Sequence, residues 1–339
     1  VDINKLLEKT SSPVAPALKA NDQRIGHFMS GKALEPEVVF IGFPTDAGVQ
    51  RNQGRVGAAK APDLIRKYFY SLSPDTENFD AFISVIAASH DAGDLKMSGS
   101  LEQDQENLAL VVEYYLKKGA IPVVIGGGHE TFFGHFLGHV SAGKSAHILN
   151  WDAHLDVREL VKGEGHSGSM FRQALTHESK LCKTYTVAGA LRHTVSKKHL
   201  DFINSLKGKV IWGEELNTQS ISEIYTELPG QTMVTFDIDA VDSAFAPGVS
   251  APAINGLSPY VWLLAARLAG ESEKVTSFDI VETNPDFDQD DRTSRLAALT
   301  IWEFLRGIAI RRSGKSSLPL SLDQAYKKIE RNQKKENAA

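Results

Sequence analysis

The chain has 339 residues, 42% hydrophobic and 23% charged, which fits a globular protein and excludes a disordered or fibrous one. Its formal net charge of −5 offers no basic field for nucleic acid or an anionic membrane surface, and no apolar run approaches the roughly 18 residues of a membrane span. A single cysteine, Cys182, excludes an intrachain disulfide and fits the reducing cytoplasm.

Residues 1–30 are polar and weakly periodic, which predicts an N-terminal arm, and Val1-Asp2-Ile3-Asn4-Lys5 lacks the basic-then-apolar layout of a signal peptide. Apolar runs bounded by turn residues predict strands over 38–43, 83–88, 122–125, 146–151, 184–188, 209–212, 233–238 and 275–281. Helical patterns lie between them, as at 101–118 and 259–268. Cys182, just before the fifth strand, reads as a packed thiol rather than a nucleophile. Strands alternating with helices predict an α/β fold whose largely parallel sheet is covered on both faces; continuous apolar runs are what doubly buried strands require. No Gly/Ser-rich or Pro-rich linker divides the chain, so residues 1–339 are expected to form one domain. From Arg311 the sequence reads as a loop. An exposed helix follows from Ser321, as N-cap, to about Gln333, within a lysine-rich tail over 314–339.

Sites in an open parallel sheet form at the carboxyl ends of its strands, and the candidate residues gather there. His129 follows Gly126-Gly127-Gly128, whose lack of side chains permits a sharp turn, and is expected to open the next helix. Asp152, His154 and Asp156 follow the strand at 146–151 with a spacing of two, which puts them on one face of an extended segment. Asp237 and Asp239 repeat the device at the seventh strand, and Glu282 ends the eighth. An isolated Asp-x-His is commonly a cap or polar turn, and a lone His129 a hydrogen-bonded loop residue. The recurrence of such residues at several strand ends favours a cluster of divalent cations, without which the carboxylates would repel one another. Carboxylates and imidazoles without a thiolate suit Mn²⁺ better than Zn²⁺. The Gly126–His129 turn lacks the Lys-Ser/Thr ending of a phosphate-binding loop, and Gly165-His166-Ser167-Gly168-Ser169 has Ser169 where a nucleophile elbow needs glycine.

Gly-Gly-Gly-His at 126–129, Asp-Ala-His-Leu-Asp at 152–156 and Thr-Phe-Asp-Ile-Asp-Ala-Val-Asp at 235–242 resemble, in that order, the ureohydrolase family of arginases, agmatinases and formimidoylglutamases. The resemblance covers about residues 37 to 310. It implies a three-layer α/β/α arginase-like fold with an eight-stranded mostly parallel sheet, a homo-oligomer, and two Mn²⁺ per subunit. His129, Asp152, Asp156 and Asp237 would hold one ion; His154, Asp152, Asp237 and Asp239 would hold the other, with Asp152 and Asp237 bridging. Two such ions, about 3.5–4 Å apart, lower the pKa of a shared water for attack on the planar carbon of an amidine or guanidine. By the same resemblance Asp156 relays the nucleophile's proton, and Glu282, in Asp279-Ile280-Val281-Glu282-Thr283-Asn284-Pro285, pairs with the cationic N–C–N group. Read alone, Glu282 is a surface acid after a strand.

Segments 46–58, 246–252 and 284–296 are most similar to formimidoylglutamases. The activity implied is hydrolysis of N-formimidoyl-L-glutamate to L-glutamate and formamide, a step of histidine catabolism. A substrate with two carboxylates calls for cations. Arg158 lies two residues after Asp156, where arginases carry an asparagine that contacts substrate carboxylate; a guanidinium there could grip a carboxylate bidentately. The competing reading is a surface arginine paired with Glu159 or Glu164. Arg55 and Arg292 are further candidates, equally readable as structural ion-pair partners. The loop histidine that arginases and agmatinases use as a proton shuttle aligns with Ser167. His166, one residue earlier, could serve only if the loop shifts, and is otherwise an exposed loop histidine. Two alternatives stay open: a guanidino-substrate hydrolase (arginase, agmatinase or guanidinobutyrase) releasing urea, and a metal-binding protein without catalysis. The expected partner is a small-molecule substrate, with no nucleic acid and no membrane.

Overall fold

Nine strands form one sheet in the computed structural model, which describes residues 2–8, 22–29 and 35–314. In chain order they are β1 (Leu7–Glu8), β2 (Val38–Phe43), β3 (Ser89–Leu95), β4 (Ile121–Gly126), β5 (Ala146–Trp151), β6 (Cys182–Ala190), β7 (Lys209–Trp212), β8 (Thr232–Asp237) and β9 (Val275–Val281). Their spatial order is β1-β3-β2-β4-β9-β8-β5-β6-β7, and every neighbouring pair is parallel except β1 with β3. The count exceeds the expected eight by β1, a two-residue edge strand inside the predicted arm, with Leu7 opposite Leu95.

Helices cover both faces, as the sequence predicts. Alternate residues of a strand point to opposite sides, and in β2 this sorts Val38 and Phe40 into one core, Val39, Ile41 and Phe43 into another. The first core also takes Ile65 and Phe69 of the helix Ala61–Ser71 and Ile301 and Phe304 of the helix Arg292–Arg312. The second takes Leu108, Val111 and Val112 of the helix Leu101–Lys117. Burying a side chain of this size contributes roughly 1.5–3 kcal/mol relative to leaving it exposed, so both faces of the strand are apolar and its sequence is a continuous hydrophobic run.

One predicted strand is corrected. Residues 83–87 belong to the helix Phe79–Ala87, Ala88 is its C-cap, and the strand is the polar segment Ser89–Leu95 that follows. Phe79, Phe82, Ile83 and Ile86 recur at helical spacing, and Phe82, Val85 and Ile86 are buried. β3 tolerates Asp91 and Asp94 because both pair with the buried guanidinium of Arg66. The predicted helix at 321–333, the tail beyond residue 314 and much of the 1–30 arm lie outside the described residues. Among those described, no helix is long and apolar enough to cross a membrane.

The four middle strands, β4, β9, β8 and β5, are adjacent and parallel. Their carboxyl ends therefore open side by side, bringing together His129, Glu282, Asp237 with Asp239, and the 152–156 segment.

Candidate metal centre

β4 ends at Gly126, and the chain turns through Gly127 so close to Thr45 that a Cβ there would lie 1.7 Å from its carbonyl oxygen. The turn delivers His129 to a fully buried position, two residues before the helix Thr131–Ser141 rather than at its first residue. The His129 backbone N–H donates to Glu282 Oε1 at 2.7 Å, and the Glu282 N–H donates to the Gly127 carbonyl at 2.8 Å. These reciprocal bonds latch the ends of β4 and β9 together, and Glu282 is buried rather than a surface acid.

The two alternating motifs converge for a reason other than strand alternation. β5 stops at Trp151, and Asp152 then turns the chain back on itself: its Oδ1 accepts the His154 N–H at 2.6 Å. Asp237 Oδ1 likewise accepts the Asp239 N–H at 3.0 Å, at the start of a short 3₁₀ turn, Ile238–Ala240. Both are side-chain-closed turns of the kind Asp favours. Asp156 and Glu282 have φ of 45° and 65°, left-handed values that cost non-glycine residues energy and persist where surrounding structure enforces them.

His129 Nδ1 lies 2.9 Å from Asp237 Oδ2, 3.3 Å from Asp156 Oδ2 and 3.6 Å from Asp152 Oδ2. His154 Nδ1 lies 3.4 Å from both Asp152 Oδ1 and Asp239 Oδ2. Two donor sets result, each with its ligand-type atoms within 4.8 Å of one another: His129, Asp152, Asp156 and Asp237; and Asp152, His154 and Asp239. Asp152 belongs to both and offers one oxygen to each imidazole. Asp237 belongs to the first set only, and its other oxygen accepts the Asp239 N–H.

Burial and mutual repulsion dominate the electrostatics of this arrangement. Burial pushes the Asp237 carboxyl well above its usual range, with Asp239 and Asp152 adding to the effect. Asp239 is raised to about 6, by burial first and by Asp152 and Glu282 next, against the pull of His154. Burial, then Asp237 and Glu130, likewise raises Glu282. For Asp152 burial is outweighed by the hydrogen bond and charge of His154 and the charge of His129, so its pKa falls. Burial also opposes charging of the two imidazoles, yet hydrogen bonds to Asp156 and Asp237 raise His129, and Asp239 with Asp152 raises His154. Protons are thus drawn into a buried cluster of anions, and Asp239 Oδ1 still has no partner. Oxygen and imidazole donors converging with surplus negative charge fit divalent cations of the hard or borderline kind.

Arg158 is exposed, and among the described residues it makes no ion pair. Its Nη1 donates to Asn52 Oδ1 at 3.0 Å, while Glu159 pairs with Lys198 and Glu164 with Arg51. Asn52 in turn donates to Ser167 Oγ at 3.2 Å. Arg55 is committed to protein carbonyls, those of Val249 and Ser250, and lies over the Phe287 ring. Arg292 meets Asp290, 3.3 Å away, and the Ala244 carbonyl. His166 is buried; its Nδ1 accepts the Gly168 N–H at 3.1 Å and its Nε2 meets the Glu159 carbonyl at 3.0 Å. Neither ring nitrogen is turned toward the carboxylates. Ser169 is buried against His166 and Gln173, and burial pushes the Cys182 thiol up to about 12, away from nucleophilic use.

Four residues beside the cluster were not singled out in the sequence. Glu130 Oε1 accepts the Gly48 N–H at 2.7 Å, tying the 46–51 segment to the site, and burial raises its carboxyl to about 7. Thr235, Asp279 and His135 form a buried chain of contacts leading to His129. One signal was available: an aspartate in the middle of Ser277-Phe278-Asp279-Ile280-Val281, a run otherwise suited to a doubly buried strand.

Comparison with known proteins gives consistent results. Residues 36–306 match the family model described as the arginase family. The formimidoylglutamase of Clostridium tetani is 34% identical over 290 residues, 80% of this chain and 82% of that protein. The formimidoylglutamase of Geobacillus thermodenitrificans is 36% identical over 282 residues, 80% of this chain and 84% of that one. Among solved structures, a formiminoglutamase of Trypanosoma cruzi with Mn²⁺ superimposes with a TM-score of 0.79 at 31% identity, covering 86% of this chain and 100% of that one.

Proposed function

The chain belongs to the arginase family, and from that premise we propose that it is a manganese-dependent formimidoylglutamase, hydrolysing N-formimidoyl-L-glutamate to L-glutamate and formamide in histidine catabolism. Its similarity to formimidoylglutamases over four-fifths of its length supports the reaction class. The observation that carries the substrate is Arg158, an exposed guanidinium beside the 152–156 segment whose only described side-chain hydrogen-bond partner is the neutral amide of Asn52. Its charge is available to a carboxylate, of which formimidoylglutamate brings two, arginine and guanidinobutyrate one, and agmatine none.

His129, Asp152, Asp156, Asp237, His154 and Asp239 would hold two Mn²⁺ per subunit, which when bound supply Lewis acidity and bring a water's pKa toward neutrality. The chain's own groups do the rest. Glu282, with Oε1 fixed by the His129 N–H, presents its second oxygen to the N–C–N cation of the substrate. Arg158 anchors a carboxylate and so sets the distance from that end to the imidoyl carbon. As water oxygen adds to that carbon, Asp156 accepts a proton and returns it to the glutamate nitrogen. The C–N bond breaks, glutamate leaves as the amine, and the former imidoyl carbon departs in formamide. His166, with both ring nitrogens engaged, reaches this path only after the 165–169 loop rearranges. Arg55 and Arg292 hold loops around the site through the carbonyls they bind.

The reading extends to a cytoplasmic homo-oligomer built from one domain, with no nucleic-acid partner. The test is a substrate panel of formimidoylglutamate, arginine, agmatine and guanidinobutyrate with the Mn²⁺-loaded protein. Formamide release from the first, without urea from the others, is expected; urea release from any of the others points instead to a guanidino-substrate hydrolase, and silence on all four to a non-catalytic metal protein.

A further inference from the structure

Behind His129, on the side away from the carboxylates, runs a line of buried polar contacts. His129 Nε2 lies 3.0 Å from Thr235 Oγ1. The Thr235 hydroxyl donates to Asp279 Oδ1, and Asp279 Oδ2 lies 2.7 Å from His135 Nδ1. All four residues have 0% exposure, so bulk water cannot substitute for any of them. Such a line of polar side chains in the interior is costly unless each donor meets an acceptor.

Proton counting fixes its direction. The single hydroxyl proton of Thr235 goes to Asp279, because a carboxylate oxygen offers no proton in return. Thr235 Oγ1 then faces His129 Nε2 as an acceptor, so Nε2 must carry hydrogen. In the neutral ring Nδ1, the nitrogen among Asp237, Asp156 and Asp152, then keeps the free lone pair that a cation requires. The second oxygen of Asp279 is filled from His135 Nδ1, whose ring has no partner at Nε2 and therefore needs no proton there.

The scaffold makes this alignment rigid. Thr235 and Asp279 are opposite one another in the β8–β9 ladder. His135 and His139 are one helical turn apart on Thr131–Ser141, and they meet Asp279 and Ser277, alternate residues of one face of β9. His139 Nε2 lies 2.9 Å from Ser277 Oγ. The helix that begins just after His129 is thus seated on β9 by two polar contacts in place of apolar packing.

We propose that Thr235, Asp279 and His135 are positioning residues for His129: they select its Nε2–H tautomer and aim Nδ1 at the three carboxylates, so that cation affinity at the His129 position depends on them while the His154 position does not. This rests on the metal-centre reading above. Removing an outlying partner of this kind lowers metal affinity about 10–100-fold.

The test compares Mn²⁺ binding by wild type, Thr235→Val, Thr235→Ser and Asp279→Asn, using calorimetric titration and metal analysis after gel filtration, with a melting curve for each metal-free protein. Thr235→Val keeps the shape but loses the oxygen. It is expected to weaken one of two ions about 10–100-fold, to leave the other within about twofold, and to melt close to wild type; Thr235→Ser should restore the lost affinity. Asp279→Asn should follow Thr235→Val. Two tight ions in Thr235→Val, or equal weakening of both ions, would overturn the positioning role. Failure of Thr235→Ser to recover while Thr235→Val is impaired would do the same, by showing that packing rather than the hydroxyl is at stake. If wild type itself binds no Mn²⁺, the metal-centre reading falls and this proposal with it, an outcome visible before any variant is made.

Discussion

Asp152 and His154 contact each other twice: the His154 backbone N–H donates to Asp152 Oδ1 at 2.6 Å, and the same oxygen lies 3.4 Å from His154 Nδ1. The turn that aims the imidazole is closed by the carboxylate that would share a cation with it. Ligand and support are thus one residue pair; loss of His154 strikes only the set formed with Asp239, whereas loss of Asp152 strikes both sets.

His154→Ala should therefore reduce bound manganese from two ions to one per subunit and lower formamide release by about 100-fold or more, at or beyond the upper end of what losing an outlying partner costs. Asp239→Ala should behave alike. Metal analysis after gel filtration decides the matter: two retained ions in either variant would contradict this division of donors.

Arg158→Ala removes the unpaired guanidinium and leaves the metal donors intact. A charge-assisted hydrogen bond contributes roughly 1.5–3 kcal/mol, so KM for formimidoylglutamate should rise about 10–100-fold with a smaller change in kcat. An amidine without carboxylates should show little change in KM. Parallel increases for both substrates would show that Arg158 shapes the loop instead of reading the substrate. Asn52→Ala should give a weaker version of the same pattern, because it frees the guanidinium without deleting it.

The sequence reveals this site unevenly, and the reasons are physical. The strand-end residues were legible because their types are costly to bury without cations and they recur in register with the strands. Convergence itself was expected from strand alternation, whereas the chain achieves it with turns closed by Asp152 and Asp237. The segment 83–88 misled because a short apolar run suits a helix or a strand equally, and its true strand neighbour is polar. Asn52 as the partner of Arg158, 106 positions away, left no local trace. Nor did His135, whose contact with Asp279 spans 144 residues.

Cation uptake should be strongly pH-dependent. The neighbouring carboxylates raise the pKa of both His129 and His154 above the ordinary 6.5, so a larger fraction of each ring is protonated at any given pH. A cation needs the unprotonated nitrogen. Apparent Mn²⁺ affinity should then rise with pH through and above that value, with protons released on binding. Titrations in buffers of different ionisation enthalpy measure the release; binding with no proton release would show that these rings are not ligands.

Stability at low pH offers a check far from the cluster in sequence. Burial opposes ionisation of Asp75, but bonds from the Asn78 side chain, the Glu77 N–H and Arg306 outweigh it and lower its pKa below 3.8. A lowered carboxyl stabilises the fold above its unfolded pKa and stops doing so as pH falls through the folded value. Asp75→Asn should lower the melting temperature by about 2–6 °C at pH 7, and the gap should narrow as pH drops below 3.8. A gap that stays constant to the lowest measurable pH would rule out the charge as its source.

The reciprocal bonds between Glu282 and the Gly127–His129 turn join residues 153 positions apart. No shorter piece of this chain contains both partners, and the donors that follow β5 and β8 lie between them in sequence. Contacts of such long range close late in folding, after the loops between them have lost their freedom. Coordination at these four strand ends is accordingly a read-out of completed assembly. The moment a refolding chain first holds manganese tightly should mark the moment the middle of its sheet is in place.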